Sequence, residues 1–290
     1  MAVADVALPT VPARRPIRDA FRRHPTAIIG GAILVVMISV ALLAPWLGTV
    51  DPQAVSPIRR LRHPSAEYWF GTDMLGRDVY SRVLYGARIS LAVGLAVALL
   101  STLIGLAIGL VSGFSRIIDA VVMRVMDGLM SIPPILLAIA LVALTRASLG
   151  NVIAAITIAE VPRVTRLVRG VVLGLREQPF IEAAEAAGTG FFKTLRRHIL
   201  PNTIAPLLVQ GTYICASAMI TEAYLSFIGA GTPPNIPSWG NIMAEGRTLF
   251  QIAYYIILFP GICLSLTVLA VNLVGDGLRD ALDPRLARRM

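Results

Sequence analysis

The residues able to do chemistry in this chain are few, and most of their arrangements point away from catalysis. His24, His63 and His198 are scattered, with no spacing that would gather ligands around a metal, so no metal site is expected. A phosphate-binding Walker loop needs Gly-Lys-Ser/Thr, yet the single lysine, Lys193, follows Phe192. No Gly-x-Ser-x-Gly nucleophile elbow occurs either. The constellations of an intramembrane enzyme are therefore missing, and no catalytic residue is assigned. Three acids stand out because they sit inside apolar runs: Asp127, Glu160 and Glu222. An ionisable side chain in lipid is a functional candidate by default. Asp127 is three residues from Arg124, and Glu160 three from Arg163, so a helix gives each a nearby cation. Glu222 has no such local partner and is the leading candidate for lining a pathway or a subunit interface; a hydrogen-bonded packing residue is the alternative. Cys215 and Cys263, also in apolar runs, read as packing residues.

The elements that must position these residues are membrane spans. The chain has 290 residues, 56% hydrophobic and 15% charged, with a mean hydropathy of +0.73. A soluble domain carries nearer a quarter charged residues, so there is too little charge here for a polar coat. The apolar residues are bunched into long runs, and lipid must be the solvent for much of the surface. The net charge is +9. Its arginines cluster at the ends of apolar runs, as membrane topology requires, and nucleic acid is not expected as a partner.

Six spans are expected: Ala27–Leu47, Ile89–Phe114, Ile117–Thr145, Leu149–Leu175, Ile204–Ile228 and Ile252–Val274. The first is too long for a cleaved leader and has no evident cleavage site at Ala44-Pro45-Trp46. Pro133-Pro134 interrupts the third, either as a plain kink or as a break lining a pathway. In the fourth, Arg163, Arg166 and Arg169 recur every three residues and lie near one stripe of a helix. The chain thus divides into an N-terminal arm (1–26), a first span with an extracytoplasmic segment (27–88), a five-helix core (89–280) containing a charged segment at 176–203, and a tail (281–290). Arg14, Arg15, Arg18, Arg22 and Arg23 in the arm, Arg176, Lys193, Arg196 and Arg197 in the charged segment, and Arg279, Arg285, Arg288 and Arg289 near the C-terminus put both termini and 176–203 in the cytoplasm. The segment 48–88 also holds six arginines, although six spans place it outside.

Within 176–203, Ala183, Ala184, Ala186 and Ala187 favour a helix that another surface can approach closely. Glu182 and Glu185 sit where carboxylates suit the positive helix end, and Gly188 can close the helix in a left-handed conformation. Pro201 marks entry into the fifth span. Residue chemistry alone leaves two readings open, a short interfacial linker or a functional contact.

The order Glu182-Ala183-Ala184, Gly188, Leu200-Pro201 resembles the cytoplasmic loop signature of ABC-importer permeases. The version His198-Ile-Leu-Pro-Asn202 is similar to that of the dipeptide/oligopeptide branch, and to its second, C-type permease. Three further blocks agree: Phe70-Gly-Thr-Asp-Met-Leu-Gly-Arg-Asp78 with Ser81-Arg82, Tyr85-Gly86 and Arg88-Ile-Ser-Leu91; Glu222, Leu225-Ser-Phe227, Gly229, Pro233-Pro234 and Ser238-Trp-Gly240; and Asn272 with Gly275-Asp-Gly-Leu-Arg-Asp-Ala-Leu-Asp-Pro284. The resemblance implies an all-helical type I permease fold in a bacterial inner membrane, without catalysis or a bound cofactor of its own. It implies a second homologous permease, ATP-binding subunits that use ATP and magnesium, and an extracytoplasmic substrate-binding protein facing 48–88 and 229–246. It also implies that Glu182, Ala183, Ala184, Gly188, Leu200 and Pro201 couple to the ATPase, with Arg196 and Arg197 either polar partners or simple cytoplasmic charge. Importers of nickel and other small solutes share the branch. An ion-driven secondary transporter using Asp127, Glu160 or Glu222 is the rival from another class, but no inverted repeat with paired broken helices is visible. A purely structural anchor would not need the polar, bend-forming residues that several spans carry.

Overall fold

The computed structural model describes residues 25–145 and 147–282, so the arginines of the N-terminal arm and of the extreme tail lie outside the described residues. The described chain is helical, without a strand among the described residues beyond one isolated bridge between Thr72 and Asp78. The helices are α1 (Pro25–Leu43), α2 (Val79–Phe114), α3 (Arg116–Met130), α4 (Pro134–Ala143), α5 (Leu149–Arg176), α6 (Pro179–Ala186), α7 (Phe191–Thr194), α8 (Leu200–Phe227), α9 (Trp239–Gly246) and α10 (Tyr255–Leu282).

Helix boundaries follow capping more than hydropathy. α2 starts ten residues before the expected Ile89, because the Asp78 carboxylate accepts from the Ser81 N–H at 2.8 Å and opens the helix there. α7 runs through a π-helical turn at Leu195–Ile199 into α8, so Phe191–Phe227 is one 37-residue rod and not a loop followed by a span. Pro201 lies in this rod and does not begin it; lacking an N–H, it removes one helical hydrogen bond next to the π turn. The sixth span is displaced as well, to Tyr255–Leu282.

Glycines bring the spans into close contact and thereby fix their directions. A methyl group added at Gly105, Gly109 or Gly113 of α2 would lie 2.5, 2.7 or 2.6 Å from Cβ of Val164, Val168 or Val172 of α5. Both series ascend together, so α2 and α5 run parallel. Gly94 meets Met219 and Gly211 meets Thr102, so α8 is antiparallel to α2. Gly275 meets Thr212, and Gly277 meets Ala27 while Gly30 meets Ala270 and Leu273, which makes α10 antiparallel to both α8 and α1. Small residues let backbones approach this closely, and in lipid such packing is a main source of helix association.

Parallel α2 and α5 require the intervening chain to cross back. That crossing is α3 plus α4, bent by 88° at the Ser131–Pro133 break. Among the described residues, four helices are long and apolar enough to span by composition, Pro25–Trp46, Val79–Phe114, Phe191–Phe227 and Tyr255–Leu282, and the bent pair makes five. α5 is more polar, because Glu160, Arg163 and Arg166 fall within it, yet it packs alongside α2. Pro25, Phe114, Arg176, Leu200 and Leu282 therefore lie towards one end of the bundle. Arg176 donates to the Gly113 carbonyl at 3.0 Å, and Phe114 meets Phe191 edge-on with centroids 4.6 Å apart at that end. Residues 47–78, the turn before α5 and residues 228–254 lie at the other.

Two large apolar clusters and a small third one around Ala216, Met219 and Val271 form the core among the described residues. One joins α2, α4, α5, α6 and α8 through Val97, Ala138, Ile156, Val168, Ile181 and Ile214. The other joins α1, α2, α9 and α10 around Met37, Val83, Trp239 and Ile256. Leu95, Leu99, Leu103, Val35 and Val36 stand exposed around the outside, as lipid-facing side chains should.

Candidate functional site

The Glu-Ala-Ala segment forms α6, as its composition suggests. Pro179 occupies the first turn, and Ile181 is the buried anchor, sharing a cluster with Ile199 at the head of the rod. Phe180 lies beside His198, with ring centroids 6.2 Å apart. Gly188 adopts φ +77° and closes the helix with paired bonds, Gly188 N–H to Glu185 C=O at 2.9 Å and Thr189 N–H to Ala184 C=O at 3.0 Å. This is the Schellman arrangement that glycine favours. Glu182, Ala183 and Gly188 are exposed, as is Pro201; Ala184 and Leu200 are half-buried. A Cβ on Gly188 would meet nothing within 4 Å. The result is a short, low-relief helix with an open alanine face, pinned to the end of a 37-residue rod. Arg196 and Arg197 are exposed nearby.

The intramembrane acids are distributed differently from the local pairing their spacing suggests. Asp127 pairs with Arg166 of α5 at 2.7 Å and not with Arg124. Arg169 takes Asp119 in a two-pronged contact. Because α3 folds onto α5, tertiary contacts replace the intrahelical pair. Glu160 does keep Arg163, at 3.2 Å, and is almost wholly buried. The arginine stripe is thus three ion pairs on one side of α5.

Glu222 is fully buried within this chain, at the end of α8 remote from α6. Its Oε1 accepts from Ser226 Oγ at 2.8 Å and from Thr232 Oγ1 at 3.4 Å. Asn241 of α9 donates to Thr232 Oγ1 at 2.9 Å and to the carbonyls of Pro233 and Ile236 at 2.9 and 3.0 Å. The i+4 hydroxyl of Ser226 is the local partner that a search for cations overlooks. Glu222 organises the 229–238 loop from beneath.

One cluster escaped sequence reasoning altogether. Arg77 Nε meets Asp73 at 2.7 Å, and its Nη2 meets Glu245 at 2.6 Å. Arg82 meets Asp73 at 2.6 Å and forks Glu245 at 2.5 and 2.8 Å. Two cations and two anions thereby fasten the segment before α2 to α9. Arg82 and Asp73 are inaccessible, so mutual pairing is what makes their burial tolerable. The clustering of charge in Asp73-Met-Leu-Gly-Arg77 was a signal, but Glu245 lies 163 residues from Arg82. Tyr255 adds hydrogen bonds to the carbonyls of Arg62 and Thr72, both at 3.0 Å.

A bundle of crossings with an exposed helix pinned to one end and a braced segment at the other is the form of a membrane transport permease. The comparisons place the chain more closely. Residues 101–288 match the family described as binding-protein-dependent transport system inner membrane component, and residues 15–64 match the N-terminal transmembrane domain of oligopeptide transport permease C. The chain belongs to this ABC-transporter permease family. It is 58% identical over 268 residues to a protein of Sinorhizobium fredii named "Probable peptide ABC transporter permease protein y4tQ", covering 92% of each chain. It is 45% identical to the glutathione transport permease GsiD of Salmonella typhimurium, covering 94% of this chain and 92% of that one. It is 42% identical to the dipeptide transport permease DppC of Alkalihalophilus pseudofirmus, covering 93% and 90%. In fold it is similar to a chain of the methionine ABC transporter MetNI in an inward-facing conformation, with a TM-score of 0.55 and 22% identity over 70% of this chain and 97% of that one.

Proposed function

We propose that this subunit forms half of the translocation pathway of an ATP-driven importer of short peptides and couples it to ATP hydrolysis through α6. The single observation that carries the coupling is the geometry of α6: an exposed Glu182-Ala183-Ala184 surface, closed by Gly188 and pinned to the rod that becomes α8. A rigid helix on a rigid lever transmits displacement, whereas a loose loop would absorb it. The substrate class rests on relatives named for peptide, dipeptide and glutathione transport. ATP and magnesium belong to partner ATP-binding subunits; a second homologous permease completes the pathway, and an extracytoplasmic binding protein docks on the braced 48–78 segment and the 229–246 loop. The α6 end of the bundle, with Pro25 and Leu282, is the cytoplasmic one, in keeping with its basic residues.

The test is purification of the tagged subunit in detergent, identification of the co-purifying chains and assay of ATPase activity. An ATP-binding subunit and a second permease should accompany the protein, and Glu182→Ala should release the ATP-binding subunit while keeping the permease. Isolation of the subunit alone, with ion-driven uptake in liposomes, would replace this reading with a secondary transporter.

A further inference from the structure

One face of the bundle holds charge in the open at mid-membrane depth. α5 and α8 are both 28-residue helices, with Arg163 and Tyr213 at their midpoints. Arg163 therefore lies about 20 Å from either end of α5, and Tyr213 about 20 Å from the end of α8 remote from α6. The Arg163 guanidinium stands 5.3 Å from the Tyr213 ring centroid. The arginine side chain is 37% exposed and Tyr213 52%. Lipid does not accept a half-open guanidinium at this depth, so this face meets water or protein.

Its surroundings favour a water-lined path. From Tyr213 a cavity of about 230 Å³ continues between α8 and α10 towards the α6 end, lined by Gln210, Thr212, Asn272 and Asp276. This strip covers residues 209–213 and 272–279, about 10 Å of helix, and ends at Arg279. Arg163 is held from behind by the buried Glu160: its Nη1, itself buried, faces Glu160 Oε2 at 3.2 Å without a hydrogen-bond partner among the described residues. The guanidinium is thus positioned by charge through the inward Nη1 and by the tyrosine ring, which leaves Nε and Nη2 as the donors for a ligand.

We infer that Arg163 and Tyr213 form a carboxylate-binding station in the pathway, which takes the C-terminal carboxylate of a peptide in transit. This rests on the peptide-permease reading above. A guanidinium forks a carboxylate with two parallel hydrogen bonds, and the adjacent tyrosine hydroxyl reaches a further acceptor. Glu160 offsets much of the arginine's charge, so the hold is short-lived. A transport pathway needs that balance: binding strong enough to admit the ligand and weak enough to release it.

The test uses the whole transporter, reconstituted in liposomes with its co-purified partners and saturated binding protein. The probes are radiolabelled alanyl-alanine and its C-terminal amide, alanyl-alaninamide. Arg163→Gln should lower the acid-to-amide uptake ratio about tenfold, measured as peptide carried per ATP hydrolysed, and Arg163→Lys should recover part of it. An unchanged ratio overturns the station, as does loss of the second permease from the purified complex, which would make Arg163 an interface residue. If the binding protein rejects the amide, Arg163→Cys is made in a background lacking Cys215 and Cys263. Labelling that cysteine with aminoethyl methanethiosulfonate should then restore alanyl-alanine uptake, and a neutral methyl reagent should not; equal effects of the two reagents would overturn the station. Wild-type vesicles that take up neither peptide would remove the peptide reading itself, and this station with it.

Discussion

Replacing Glu245 with glutamine unbalances the charge cluster that braces the segment before α2. In the native cluster, Arg77 and Arg82 share Asp73 and Glu245 through contacts of 2.5–2.8 Å. After Glu245→Gln, both guanidiniums depend on Asp73 alone, with side-chain exposures of 10% for Arg77 and 1% for Arg82. Breaking a buried ion pair at one partner costs about 3–5 kcal/mol, and the lower end applies because Glu245 is itself 27% exposed. The charge count then predicts the sign of a second change. Arg77→Met on top of Glu245→Gln leaves Asp73 and Arg82 as a neutral pair 2.6 Å apart. The double variant should therefore be more stable than Glu245→Gln alone by about 1–2 kcal/mol, although Arg77→Met by itself is destabilising. Wild type, the two single variants and the double are compared by thermal unfolding in detergent and by hydrogen exchange across 56–82. Additive losses, with the double variant the least stable, would refute the charge-balance reasoning.

Gly188→Val meets no neighbour but must adopt φ +77°, so it strains the end of α6 by about 1–2 kcal/mol without a clash. The variant should reach the membrane and carry less peptide per ATP, while Gly188→Asn, which tolerates that conformation, should retain most of the coupling. Gly109→Ala places a methyl 2.7 Å from Val168 Cβ and should lower the thermal stability of the purified subunit by about 1–3 kcal/mol, whereas Gly31→Ala, with open space around it, should not. Glu222→Ala removes the acceptor of Ser226 and Thr232 and leaves their hydroxyls to each other and to Ser238, a loss of about 0.5–1.5 kcal/mol read as faster hydrogen exchange in 229–238. Glu222→Gln keeps a carbonyl acceptor there and should be milder.

The crossings were legible because lipid forces long apolar runs, and the α6 terminus because Gly188 is a residue that enters the left-handed region without penalty. The start of α2 was not legible. Arg82 and Arg88 read as loop charges, although Glu245 neutralises Arg82 and the carbonyls of Ala41 and Leu42 receive the Arg88 guanidinium. The rod through 191–203 was hidden for a related reason: Lys193, Arg196 and Arg197 are exposed, and composition does not separate a charged loop from a helix that projects beyond the bilayer. The partner of Asp127 depended on how α3 folds across α5, which spacing along one helix does not encode. Glu222 lacks a cation, as its spacing suggests; the hydroxyls of Ser226 and Thr232 serve its Oε1, while the buried Oε2 has no hydrogen-bond partner among the described residues. The Arg163–Tyr213 contact joins two helices whose register was fixed only by packing.

The central claim is that α6 is the surface through which ATP hydrolysis reaches the pathway. The most direct measurement places a photo-crosslinking amino acid at Glu185, exposed on α6, in the full transporter in native membranes, and identifies the crosslinked chain by mass spectrometry. Crosslinking to an ATP-binding subunit, with a yield that changes when ATP is trapped, is the predicted result. Crosslinking to lipid alone, or to an extracytoplasmic protein, would contradict the account.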